Sequence, residues 1–246
     1  PALPEGLRYS AVAAGKDHTL LVRNDGQVLA FGKNSEGCCD VPALPEGRHY
    51  VAAAGGGDHS VLLRDDGTAV AFGKNDNGRC ILPMLQPGRS YVAVAAGSVT
   101  LLLRDDGEVL RAGTVQNNVL FGTGPLDIPA PPAGVRYSAV AASTMHCVLL
   151  RDDGEVVSVG SAANDRLRVP PLPQDGGHTA YVGVVLGVEH TVLVRSDGQA
   201  VAFGKNDNGR CVVPELPEGM RYLPPEGGSA LLGRTMRVVT VRPVER

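Results

Sequence analysis

Tyr50-Val-Ala-Ala-Ala-Gly55, His59-Ser-Val-Leu-Leu-Arg64, Asp65-Asp66-Gly67 and Thr68-Ala-Val-Ala-Phe72-Gly73 follow one another almost without a break. Each apolar run is short, rich in Val, Leu and Ala, and bounded by Gly, Asn or Asp. Runs of this length read as strands, because a helix needs about 10 or more periodic residues. Asp-Gly between two of them marks a tight hairpin, since glycine adopts the positive φ that the turn requires.

The same segment recurs along the chain. The six tyrosines, Tyr9, Tyr50, Tyr91, Tyr137, Tyr181 and Tyr222, each open a copy and stand 41, 41, 46, 44 and 41 residues apart. A period of this size defines a repeat architecture. The Arg-x-Asp-Gly turn ends at Gly26, Gly67, Gly107, Gly154 and Gly198, and a further glycine follows six residues later each time. Constant offsets inside a unit, with variable lengths between units, indicate rigid hairpins on adjustable loops. Three units close on Cys39-Asp-Val-Pro42, Cys80-Ile-Leu-Pro83 and Cys211-Val-Val-Pro214. Proline cannot donate to a ladder, so this run is expected as an outer edge strand.

The expected fold is all-β: a β-propeller of about six blades, each of three to four antiparallel strands. Residues 1–246 are expected to form one domain, with units near 9–49, 50–90, 91–136, 137–180, 181–221, and 222–246 plus 1–8. The sixth copy is degenerate. It lacks the Asp-Gly turn, and its next strand is expected over residues 237–242. Residues 1–6 repeat residues 42–47, so the N-terminal tail is expected to complete the last blade and remove an exposed sheet edge. The Val and Leu of each strand, with Phe31, Phe72 and Phe203, are expected between the sheets.

The unit resembles that of the regulator-of-chromosome-condensation repeat family. The matching residues in the first copy are Ala13-Ala14-Gly15, His18-Thr19-Leu20, Asp25-Gly26, Val28-Leu29-Ala30-Phe31-Gly32-Lys33-Asn34 and Gly37. The pattern runs through five units and departs at Val99, where the others have His, and at Ala112 and Val159, where three have Phe. The resemblance implies a protein–protein interaction scaffold with no cofactor. It also implies two alternatives: a guanine-nucleotide exchange factor for a small GTPase, or the partner-binding propeller of a larger HECT-type ubiquitin ligase. Small GTPases and ubiquitin machinery are the protein partners it suggests.

Composition narrows the partners. A net charge of −3 over 246 residues argues against a general nucleic-acid or anionic-membrane surface. No apolar run approaches the ~18 residues of a membrane span. Five cysteines, an odd number without zinc spacing, favour a reducing, intracellular setting, cytoplasmic or nuclear.

His18, His59, His146 and His190 recur at one position. A catalytic group needs a single distinctive setting, so these are expected to be structural, each bonding a neighbouring backbone group. The turn carboxylates are expected as exposed turn chemistry, and Gly26, Gly67, Gly107, Gly154 and Gly198 as structural repeat positions. No catalytic and no metal-binding residue is expected. Binding residues are expected on loops held by the rigid scaffold: Lys33, Asn34 and Glu36; Lys74, Asn75, Asp76 and Asn77; Lys205, Asn206, Asp207 and Asn208. Phe121, in the long interval over residues 114–135, is a further candidate contact.

Overall fold

A computed structural model describes residues 3–114, 126–174, 176, 179–224 and 241–243. The first unit supplies β1 (Tyr9–Ala14), β2 (His18–Arg23) and β3 (Val28–Gly32). The second supplies β4 (Tyr50–Gly55), β5 (His59–Arg64) and β6 (Ala69–Gly73). The third supplies β7 (Tyr91–Ala96), β8 (Thr100–Arg104) and β9 (Val109–Ala112). The fourth supplies β10 (Tyr137–Ala142), β11 (His146–Arg151) and β12 (Val156–Gly160). The fifth supplies β13 (Tyr181–Leu186), β14 (His190–Arg195) and β15 (Ala200–Gly204). Each triplet is one antiparallel sheet in sequence order. In the sixth unit β16 (Met220–Tyr222) pairs with β17 (Val241–Pro243).

The first strands of successive sheets touch: β1 with β4, β4 with β7, β7 with β10, and β10 with β13. They therefore form the inner layer of a β-propeller. The middle strands are apolar on both sides because a sheet lies against each face. Leu62 of β5 packs with Leu20 and Val22 of the first sheet. Its neighbours Val61 and Leu63 pack with Val94 and Leu102 of the third. Buried on both faces, such a strand reads as a continuous apolar run and not as an alternation. Each fully buried leucine of this kind contributes about 2 kcal/mol.

Two expectations differ from what is observed. The sheets have three strands, and the run expected as a fourth is turn and irregular backbone at 39–42, 80–83 and 211–214. Its first N–H groups, on Cys39, Cys80 and Cys211, are taken by asparagine side chains, and its proline has none to offer. Phe31 is not in the core. It is 46% exposed, with Val12 and Leu29, on the face of the first sheet turned away from the second, whereas Phe203 is buried and Phe72 partly so. Of the strand expected over 237–242, only residues 241 and 242 are described. Among the described tail residues, 3–8 join no sheet; Leu7 N–H donates to Pro4 O at 3.1 Å, just as Arg48 does to Pro45 in the linker they resemble. Residues 1–2 and 225–240, on which the expected closure depends, lie outside the described residues.

Candidate functional site

The two ends of the propeller are built differently. At one end the Asp-Gly hairpin of each unit meets the opening tyrosine of the next. Tyr50 N–H donates to Gly26 O at 3.0 Å, Tyr91 to Gly67 at 2.8 Å, Tyr137 to Gly107 at 3.3 Å, Tyr181 to Gly154 at 3.0 Å and Tyr222 to Gly198 at 2.9 Å. Gly26 shows why glycine stands here. Its φ is +80°, and a Cβ would come within 2.4 Å of His49. The turns are thus joints between units, which corrects their reading as simply exposed. The tyrosine hydroxyls complete these joints, Tyr50 donating to Pro42 O at 3.1 Å and Tyr91 to Pro83 O at 2.8 Å. Arg23, Arg104, Arg151 and Arg195 each fork onto the turn aspartate two residues on. The guanidinium hydrogen bond holds the carboxyls of Asp25, Asp106 and Asp153 below the ordinary range.

At the other end the joint is made by side chains. His18 Nε2 lies 2.9 Å from Ser60 Oγ, His59 Nε2 2.9 Å from Thr100 Oγ1, and His146 Nε2 2.8 Å from Thr191 Oγ1. Each histidine therefore bonds a hydroxyl of the next unit, which corrects the expectation of a backbone partner. Ser60 donates to Cys38 O at 2.7 Å and Thr100 to Arg79 O at 2.8 Å. A hydroxyl has one proton, so His18 and His59 donate through Nε2. Burial pushes His59 down to about 3 and His146 down to about 4, and lowers His18 and His190. The Ala-Ala-Gly signature has its cause here: a Cβ on Gly56 would lie 2.3 Å from His59 Cε1. In the third unit Val99 replaces the histidine, and Cys147 of the fourth replaces the hydroxyl. Both are fully buried in one apolar cluster.

The loops that carry the predicted binding residues sit at this histidine end. Their backbones are fixed by Lys33, Lys74 and Lys205 N–H groups donating to Asp17, Asp58 and Glu189 carbonyls at 2.8, 2.9 and 2.9 Å. Asn34, Asn75 and Asn206 each accept the N–H of the cysteine five residues on, at 2.8, 2.9 and 2.9 Å. These asparagines hold the loop shut. Asn77 holds the next unit, donating to Ser98 O and Thr114 O at 3.1 Å each. Asn208 takes a left-handed conformation at φ 64°.

Charge pairing separates the three loops. Lys74 lies 3.6 Å from Asp76, and Lys205 lies 3.2 Å from Asp207 and 3.3 Å from Glu189. In the first loop Ser35 stands where the others have aspartate. Among the described residues Lys33 and Glu36 make no ion pair, and both are exposed. They border a shallow surface hollow with Asp17, Ser35, Cys38 and Asp58. Sequence reasoning missed Glu189, which gathers Arg166, Lys205 and Arg210 at 3.5, 3.3 and 3.3 Å. The signal was present, since an acidic residue precedes the repeated histidine at 17, 58 and 189. Phe121 and His178 lie outside the described residues. Among the described residues no group of three or more His, Cys, Asp or Glu is placed to hold a metal.

Stacked three-stranded sheets joined through repeated Tyr, His and Asp-Gly positions define a β-propeller repeat protein. Residues 9–38 and 50–79 each match the model of the regulator of chromosome condensation (RCC1) repeat. Among solved structures it is similar to human WBSCR16, with a TM-score of 0.66 and 20% identity over 83% of this chain and 65% of that one. Yeast RCC1 (Prp20), solved bound to Kap60, gives a TM-score of 0.65 and 20% identity over 89% and 61%. Prp20p from Saccharomyces cerevisiae, in a structure titled with its binding properties to Gsp1p and histones, gives 0.63 and 20% over 81% and 59%. The chain thus spans under two thirds of the length of these three structures. Comparison with curated protein sequences gave no match.

Proposed function

We propose that this chain is a protein-docking scaffold that works by binding and not by bond chemistry, with the first loop at the histidine end as a contact surface. The observation that carries this reading is the broken ion pair. The polar residues shared by the units are engaged in joints between units, while Lys33 and Glu36 stand exposed beside a hollow where the sister loops are internally neutralised. Exposed, unpaired charges on a loop fixed by its backbone steer and select a partner of complementary charge. The proposal includes an intracellular setting, cytoplasmic or nuclear, supported by an odd number of thiols spread over separate units.

The test is capture of partners by the intact chain and by a Lys33→Ala/Glu36→Ala variant with unchanged melting. The expected result is a partner whose binding to the variant falls about ten-fold or more. An identical set of partners bound with equal affinity would contradict the assigned surface. Prp20p is titled with binding to Gsp1p, so the exchange reading is tested alongside. Accelerated nucleotide release from a GTPase of that type would replace the scaffold reading. Capture of ubiquitin-conjugating machinery would favour the propeller of a HECT-type ligase.

A further inference from the structure

The first unit departs from its repeat at one position beside the hollow. The residue before the closing cysteine is arginine in Arg79-Cys80 and Arg210-Cys211, but cysteine in Cys38-Cys39. The substitution creates two adjacent thiols. Both point at one acceptor: Cys38 Sγ lies 3.0 Å and Cys39 Sγ 3.8 Å from Lys33 O. The sulfurs therefore converge on one side of the turn, which Cys39 N–H and Asn34 Oδ1 hold in place. The sister cysteines are single, Cys80 lying 3.6 Å from Lys74 O and Cys211 3.7 Å from Lys205 O. Cys38 is buried at 4% exposure and borders the hollow, while Cys39 beside it is partly exposed, so a small reagent meets Cys39 first.

We propose that Cys38 and Cys39 form a vicinal dithiol site for a trivalent, thiophilic acceptor, of which a monosubstituted arsenical is the matching chemistry. Soft sulfur ligands select soft acceptors. A zinc-type ion requires about four ligands, and among the described residues this turn offers no third His, Cys, Asp or Glu so placed. An arsenoxide asks only for two sulfurs. In the condensation each thiol gives up its proton, two S–As bonds form, and the arsenoxide oxygen leaves as water with no change in the oxidation state of arsenic. Burial, with the Cys39 thiol alongside, pushes Cys38 up to about 11, so its sulfur rests as a thiol able to supply its proton.

The probe is phenylarsine oxide added to the folded chain, read by native mass spectrometry. One phenylarsenic adduct per chain is expected, removed by 2,3-dimercaptopropanol but not by an equal excess of glutathione. Cys38→Ser and Cys39→Ser should each lower affinity about 100-fold or more, because the second sulfur acts at high effective concentration. Cys80→Ser and Cys211→Ser should leave it unchanged. Cys38→Arg, which restores the residue of the sister units, should lose the adduct while remaining folded, as seen in its melting. The proposal fails if the folded chain takes no adduct, if the adduct forms only after unfolding, if glutathione displaces it, or if it survives in Cys39→Ser.

Discussion

Two neighbouring joints of this ring solve one packing problem with opposite chemistry. Between the second and third units, His59 donates to Thr100 across the interface. Between the third and fourth, Val99 and Cys147 stand at the corresponding positions in an apolar cluster. The polar pair is matched where its groups meet, Nε2 on the Thr100 hydroxyl, with His59 Nδ1 left unpartnered behind it, and the apolar pair has no such group to satisfy. A half-exchanged pair would strand a buried donor or overfill a small site, and none of the four described joints between the first five units is half-exchanged. The repeat position therefore selects for a matched pair and not for histidine itself.

Acid should break this comparison most strongly. Above pH 6.5 the imidazoles are neutral in both folded and unfolded chains. Below it the unfolded chain binds protons that His146 resists down to about 4 and His59 to about 3. Stability is thus full above pH 6.5 and is lost as pH falls, by about 1.4 kcal/mol per pH unit for each histidine. Between pH 6.5 and 4.5 these two alone should remove about 5 kcal/mol, measured by urea denaturation at each pH. The paired carboxylates act in the same direction only below their ordinary value of 3.8, so the loss between pH 6.5 and 4.5 belongs to the histidines.

Val99→His tests the apolar joint from the other side. It places an imidazole at a site with 0% exposure facing Cys147 and should cost about 3 kcal/mol, through overpacking and an unsatisfied donor. Adding Cys147→Thr should recover part of the loss. Gly56→Ala should cost about 2 kcal/mol in the wild type, since its methyl would meet the His59 ring. The cost should shrink in a His59→Val background, where that contact is relieved. At the hairpin end the two joints are alike, so Tyr91→Phe and Tyr137→Phe should each cost about 1 kcal/mol, losing one hydroxyl bond to Pro83 O or Pro129 O. A large difference between these two would mean that the ends are not independent.

The hairpin end was nearly all legible in the sequence because its chemistry is backbone geometry. Asp-Gly at constant offsets specifies the turn, and the turn specifies where the next tyrosine docks. The histidine end was legible only as a repetition. That His59 reaches Thr100 depends on how two sheets stack, and nothing local to either residue encodes it. Val99 read as drift until Cys147 stood beside it. In the Lys-Asn loops the sequence did not reveal that Asn34, Asn75 and Asn206, though exposed, each hold a backbone N–H of their own turn. Phe31 misled because a repeat implies equal neighbours, and the first sheet has a described neighbour on one face only.

A double-mutant cycle on His59→Val and Thr100→Cys, followed by urea denaturation at pH 7.5, tests the matched-pair account most directly. Each single change should cost about 2 kcal/mol, while the double variant, which copies the neighbouring apolar joint, should lose at least about 1 kcal/mol less than their sum. It should also show a shallower loss of stability below pH 6.5. Strict additivity, with an unchanged pH profile, would contradict the account.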